Sequence, residues 1–230
     1  MGEPEIAIVL GTGLGNFYTR LENKITIPYR EIPNIPKNHA MVMSHKGDLY
    51  FGTVNGAKVL CWGGRFHWYE GFESYCLTFI ANVSAAVGCS TFLVTNASGG
   101  AVTDMEGAGC INVLTNHINM TGLNPLDSYY HTCFGNKDFE PFYDSELVQI
   151  ALEEAKKIGI QAYSGAYSWE PGPAFETPLE VANCAKLGCI AFGMSTVPEI
   201  LSAFTAKMRT ICVAVITNLA AGYSKNELGV

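Results

Sequence analysis

Charge is scarce in this chain. Only 15% of its 230 residues are Asp, Glu, Lys or Arg, with 21 acidic against 14 basic and a formal net charge of −7. So few cations exclude general nucleic-acid binding, which depends on neutralising many phosphates. A single small anion held by backbone N–H groups and one or two Arg remains possible. No run approaches the ~18 apolar residues of a membrane span. The opening Met1-Gly2-Glu3-Pro4-Glu5 is acidic where a secretory signal is basic, and Ile6 stands where a myristoylation signal has Ser or Thr. There is no CxxC pair and no clustered metal-ligand spacing, so no metal is expected. Internal repeats, low-complexity tracts and linkers are also missing.

What is present is apolar. Hydrophobic residues make up 48% of the chain, ample material for one large core. Residues 1–230 are read as a single α/β domain. The eight Cys, at 61, 76, 89, 110, 133, 184, 189 and 212, could form four disulfides by count. In a domain of this size they read instead as reduced, buried small hydrophobes of a cytoplasmic protein.

Short apolar runs alternate with helical patterns. Ile6 to Leu10 is a buried strand stopping at Gly11. Asp48–Val54 and Ala57–Trp62 flank Asn55-Gly56, a hairpin signal. Tyr75–Val87 reads as a helix closed by Gly88. Thr91–Thr95 and Ile111–Asn116 read as strands. Asp144–Ile158 reads as an amphipathic helix capped by Asp144, with Lys156 and Lys157 in its last turn. Ile160–Ser168 is a strand. Thr177-Pro178-Leu179-Glu180 is a capping box opening a helix to Leu187. Cys189–Phe192 is a strand, and Thr196-Val197-Pro198-Glu199 opens a helix to about Met208. Thr210–Thr217 is the last strand. This alternation predicts a mixed, largely parallel sheet with helices on both faces.

In such folds ligands bind beyond the carboxyl ends of strands. Six strand ends here carry Gly or short polar residues. Gly11-Thr12-Gly13-Leu14-Gly15 can aim backbone N–H groups and the Thr12 hydroxyl at an anion, or can be an ordinary tight turn. Arg65 and His67 alternate on an extended segment and can face one side. Arg65 offers a fork to phosphate and His67 a second donor; the plainer alternatives are a surface ion pair and a satisfied core histidine. Ser195 can present a hydroxyl beside free helix N–H groups, unless it or Thr196 is merely the cap. Glu176 can accept N–H bonds from a heterocycle stacked on Phe175, or can simply favour a helix dipole. Asn218 can read a base edge or form a turn. His45 is a lone loop histidine, and His39, His117 and His131 are read as structural.

The ordered set of motifs is informative. Gly11-Thr12-Gly13-Leu14-Gly15, Ser44-His45-Lys46-Gly47, Gly64-Arg65-Phe66-His67-Trp68-Tyr69-Glu70-Gly71, Thr95-Asn96-Ala97-Ser98-Gly99-Gly100 and Asn116-His117-Ile118-Asn119 come first. Asn124-Pro125-Leu126, Gly172-Pro173-Ala174-Phe175-Glu176-Thr177, Gly193-Met194-Ser195-Thr196-Val197-Pro198-Glu199 and Thr217-Asn218 follow. From about residue 6 to its last residue the chain resembles the trimeric purine nucleoside phosphorylases. The resemblance implies phosphorolysis of purine nucleosides to free purine and pentose 1-phosphate, with no cofactor and with inorganic phosphate as co-substrate. It places Thr12, His45, Arg65, His67, Ala97 (through its N–H) and Ser195 at phosphate, and Tyr69 and Met194 at ribose. Phe175, Glu176, Gly193 and Asn218 fall at the purine, with Asn218, Glu176 and His67 in catalytic roles. It also implies a homotrimer in which Phe139 reaches the neighbouring site.

The chain departs from the pattern in places. Thr12 replaces Ser and Cys110 replaces Asp, and Met105–Gly109 carries an extra residue. By the resemblance, an N-terminal helix would precede the first strand, and a C-terminal helix whose His binds the ribose 5′-hydroxyl would begin near Val230. Asn218, where methylthioadenosine phosphorylases carry Asp, favours 6-oxopurines such as inosine and guanosine. The alternatives are a methylthioadenosine phosphorylase and a catalytically silent nucleoside-binding relative.

Overall fold

The computed structural model describes residues 2–37, 47–102, 108–126 and 141–223. Nine strands form one sheet: β1 (Ile6–Val9), β2 (Glu22–Pro28), β3 (Asp48–Val54), β4 (Ala57–Trp62), β5 (Thr91–Gly100), β6 (Ile111–Asn119), β7 (Ala162–Trp169), β8 (Cys189–Gly193) and β9 (Arg209–Leu219). Four α-helices accompany them: α1 (Phe79–Ala86), α2 (Ser145–Lys157), α3 (Pro178–Lys186) and α4 (Val197–Thr205). Strand order is β2-β3-β4-β1-β5-β8-β7-β6-β9, and β5 also pairs with β9. That extra pairing closes β5, β9, β6, β7 and β8 into a ring. Parallel pairs join β1 to β4 and β5, β5 to β9, and β7 to β6 and β8. The hairpin at Asn55-Gly56 forms as expected, with φ of 50° and 84° and Val54 opposite Ala57. Trp62, Phe92, Val94, Ile80, Ile200 and Ile216 are almost wholly buried in the main core.

Several boundaries differ from the sequence reading. β5 does not stop at Thr95 but runs through Asn96–Gly100. Its polar side chains have interior partners: Ser98 Oγ donates to Asn96 Oδ1 at 2.7 Å and Asn96 Nδ2 to Thr196 Oγ1 at 2.8 Å. Gly99 and Gly100 pair antiparallel with Phe192 and Ala191 of β8. Tyr75–Val87 is not one helix, because Ser74–Thr78 is a tighter 3₁₀ turn. α4 stops at Thr205, not near Met208. A Schellman closure ends it, with Lys207 N–H to Phe204 O and Met208 N–H to Ala203 O. Lys207 sits at φ 65°, a place where glycine is usual. The edge strand β2 has no counterpart in the sequence reading, since Glu22–Thr26 are exposed and lack apolar alternation.

Seven of the eight Cys fall in the described residues, and all seven are free and buried. Burial pushes the thiols of Cys61, Cys189 and Cys212 up to about 12, which makes them inert. Among the described residues no helix is long and apolar enough to cross a membrane.

Candidate active site

The sheet brings the ends of β1, β5, β8 and β9 and the segments after β4 and β7 around one cavity of about 510 Å³. Thr12, Arg65, His67, Tyr69, Ala97, Phe175, Glu176, Gly193, Met194, Ser195 and Asn218 all line it. His45 and Phe139 lie outside the described residues. Asn96, Ser98, Gly99, Phe192 and Thr217, which were given no role in the sequence reading, also face it. A second cleft, of about 530 Å³ between the start of α2 and Lys207–Thr210, contains none of these residues.

One end of the cavity is lined by Gly11, Thr12, Arg65, His67, Ala97 and Ser195. Gly11 N–H donates to Thr95 Oγ1 at 2.9 Å. A Cβ at Gly11 would come within 2.5 Å of the Thr95 carbonyl, so only glycine lets this turn lie on β5. Gly13, at φ 83°, completes the turn that presents the exposed Thr12. Arg65 lies three residues beyond the end of β4 and is 5% exposed. It is neither on the surface nor a free fork. Nη1 reaches Ser195 Oγ at 3.2 Å, Thr196 Oγ1 at 3.1 Å and Glu199 Oε2 at 3.2 Å, while Nη2 donates to the Thr95 carbonyl. The Arg65–Glu199 ion pair is buried on both sides.

His67 follows two residues later. Its backbone N–H donates to Glu70 Oε2 at 2.8 Å, and that oxygen lies 3.5 Å from His67 Nδ1. Glu70 is buried beside the His67 ring, a contact that the motif alone did not reveal. The Tyr69 ring stacks on His67 at 4.9 Å. Behind Tyr69, Gly172 at φ 61° brings its backbone so close that a Cβ would meet Met194 Sδ at 2.4 Å and the Tyr69 ring at 3.0 Å. Tyr69 and Met194, matched to ribose, are thereby packed on one shared backbone.

Ser195 and Thr196 divide the work that the sequence reading left undecided between them. Thr196 is the cap of α4, in a capping box with Glu199. Ser195 stays turned to the cavity, its N–H donating to Tyr167 Oη at 3.3 Å. Thr196 holds φ 76° and ψ −51°, with Val197 N–H bonded to Ser195 O at 2.8 Å. This is a γ-turn of the rare, strained hand. Such backbone costs about 1–3 kcal/mol and persists only where surroundings over-determine it.

The other end is lined by Phe175, Glu176 and Asn218. A register shift between β5 and β9 pairs Gly99 with Asn218 immediately after Ser98 pairs with Ile216. The bulge at Thr217 turns Asn218 toward the cavity. The last strand therefore runs past Thr217 to Leu219, further than the apolar pattern indicated. Thr217 Oγ1 donates to Asn218 Oδ1 at 2.9 Å, and Asn218 Nδ2 to Leu219 O at 3.0 Å. Glu176 is half-buried; desolvation, with the Glu180 charge adding to it, holds its carboxyl above the ordinary range. Phe175 stands 84% exposed at the rim. Among the described residues no group of three His, Cys, Asp or Glu side chains is placed to hold a metal ion.

Known proteins resemble this chain in sequence and fold. Residues 5–229 match the model of the phosphorylase superfamily. The chain is 39% identical over 221 residues to purine nucleoside phosphorylase 1 of Bacillus subtilis, covering 95% of this chain and 80% of that one. It is 37% identical to the purine nucleoside phosphorylase of Bos taurus, covering 94% and 76%. The structure superposes on Schistosoma mansoni purine nucleoside phosphorylase in complex with adenosine with a TM-score of 0.85, at 34% identity, covering 97% and 81%. Against a purine nucleoside phosphorylase in complex with ribose-1-phosphate the TM-score is 0.83 at 35% identity, covering 95% and 82%. By its matched length, its identity to these relatives and the shared fold, the chain belongs to the phosphorylase superfamily and, within it, to the purine nucleoside phosphorylases.

Proposed function

We propose that this enzyme uses inorganic phosphate as co-substrate, without a cofactor, to cleave 6-oxopurine nucleosides such as inosine and guanosine. The observation that carries the reading is one cavity with anion donors at one end and paired Glu176 and Asn218 at the other. Phosphate held by Thr12, Arg65, His67, Ser195 and the Ala97 N–H would stand below the anomeric carbon. Attack forms a C1′–O bond as the N-glycosidic bond breaks and its electron pair passes to the purine, which takes up a proton. Positioning accounts for much of such a rate gain. Charge growing on the base would be met by Asn218 at N7 and O6, a bond that strengthens in the transition state. Glu176 would accept from N1–H.

The 6-oxo preference rests on Asn218, whose amide can donate to O6 where an ionised Asp could not. The Schistosoma relative was solved with adenosine and, separately, with hypoxanthine, so discrimination is expected in turnover rather than in entry. Phe175 and Leu179 stand 84% and 79% exposed, Phe175 at the rim of the cavity. Apolar side chains so placed support a homotrimer whose neighbour covers the site. Free, buried thiols support a cytoplasmic setting. The deciding experiment is cleavage of inosine, guanosine and adenosine with and without phosphate. Comparable kcat/KM for adenosine, or cleavage without phosphate, would sink the reading.

A further inference from the structure

The strained turn at Thr196 joins groups from three distant parts of the chain. Its N–H donates to Glu199 Oε2 at 3.0 Å, and its hydroxyl accepts from Arg65 Nη1 at 3.1 Å and from Asn96 Nδ2 at 2.8 Å. Thr196, Glu199 and Asn96 are each no more than 3% exposed. The other Glu199 oxygen, Oε1, is buried with no hydrogen-bond partner among the described residues. The carboxylate is therefore committed to Oε2, which serves Arg65 and the Thr196 N–H together. A helix cap alone would require none of the Arg65 and Asn96 contacts. It would not require left-handed backbone at a β-branched residue either, where side chains are genuine outliers.

We propose that Thr196 and Glu199 are positioning residues for the phosphate end of the cavity. They hold Arg65 against Ser195 and fix the γ-turn that aims Ser195 at the anion. The inference rests on the cavity being the phosphate site, and it adds that the anion's affinity is set by residues that do not touch it. Because the turn is strained, its geometry is maintained by these bonds rather than by local preference. Releasing them should loosen Ser195 and Arg65 together, while the purine end, built on β7 and β9, stays as it was.

The variant Thr196→Gly separates this role from a structural one. Glycine accepts positive φ without strain and is a tolerable cap, so the fold should keep its Tm within a few degrees. The acceptor for Arg65 and Asn96 is lost all the same. We expect KM for phosphate to rise about tenfold or more, with KM for inosine within about twofold of wild type. Thr196→Ser, which keeps the hydroxyl, should restore most of the phosphate KM. Glu199→Gln should shift KM in the same direction as Thr196→Gly. Binding of inorganic phosphate is followed in parallel by calorimetry. An unchanged phosphate KM in folded Thr196→Gly overturns the inference, as does an equal rise in both KM values. Wild-type protein that does not bind phosphate overturns it too. Wild-type protein that binds phosphate but leaves inosine intact would overturn the assigned reaction instead. In that case weaker phosphate binding by Thr196→Gly would still support the positioning role.

Discussion

Gly193 lies directly beneath the hydroxyl of Tyr167: a Cβ built on Gly193 would come 2.6 Å from that oxygen. Tyr167 is fully buried and cannot retreat, and its oxygen also accepts the Ser195 N–H. Gly193→Ala should therefore displace Tyr167 and with it Ser195. Overpacking of this kind costs about 1–3 kcal/mol. The expected result is a lower Tm and a kcat/KM for inosine reduced about tenfold or more. Wild-type kinetics in Gly193→Ala would show that the contact carries no such load.

Arg65→Met tests the buried pair with Glu199. Removing one partner leaves a buried charge uncompensated, at a cost of about 3–5 kcal/mol. Stability by denaturant titration should fall accordingly, and phosphate binding should weaken. The double variant Arg65→Met/Glu199→Met should recover much of the stability, because an apolar pair of similar volume can replace a buried ion pair. It should recover none of the phosphate affinity. Equal recovery of both would contradict a role for Arg65 at the anion.

The pH profile should report Glu176. Its raised pKa, caused first by burial and then by Glu180, means that the ionised acceptor is present above that pKa and lost as pH falls through it. KM for inosine should therefore begin to climb at a higher pH than an ordinary carboxylate would give. Glu176→Gln should remove that limb. The stability effect has the opposite sign: a carboxyl with raised pKa holds its proton better when folded, so its contribution weakens as pH rises through the same window.

Asp144 titrates the other way. Hydrogen bonds from Arg209, at 2.6 and 2.9 Å, hold its carboxyl down to about 2. Its contribution is fully present above the ordinary Asp range and is lost as pH falls toward about 2. Asp144 also caps α2 by accepting from Leu147 N–H at 3.0 Å. Asp144→Ala should cost about 1 kcal/mol near neutrality, as N-cap losses do. Its acid-unfolding curve should lose part of the wild-type dependence below pH ~4. Superimposable curves would rule out the pair as a source of acid sensitivity.

Asn218→Asp should shift turnover away from inosine and toward adenosine, since the ionised carboxylate only accepts and can no longer donate to O6. The ratio of the two kcat/KM values is the measurement. An unaltered ratio would remove Asn218 from the account of base selection.

Much of this protein was legible in its sequence because the signals are local. Asn55-Gly56 dictates its turn, Asp144 and Thr177 dictate their caps, and Gly88, Gly159 and Gly188 end helices in left-handed backbone. The ordered motifs named every lining residue of the cavity that was assigned a role. What the sequence could not determine depends on which strands become neighbours. Asn96 and Ser98 read as loop until the closed ring supplies Thr196 as an interior partner, and β2 is a strand only because β3 pairs with it. Lys207 ends α4 where no glycine marks the stop. The aim of Asn218 comes from a register shift against β5. Arg65 is the clearest case. Its side chain promised a fork for phosphate, yet only the approach of α4 decides that Glu199 and Thr196 hold it. Local chemistry fixes turns and caps, but a buried charge takes its partner from the packing of segments more than a hundred residues apart.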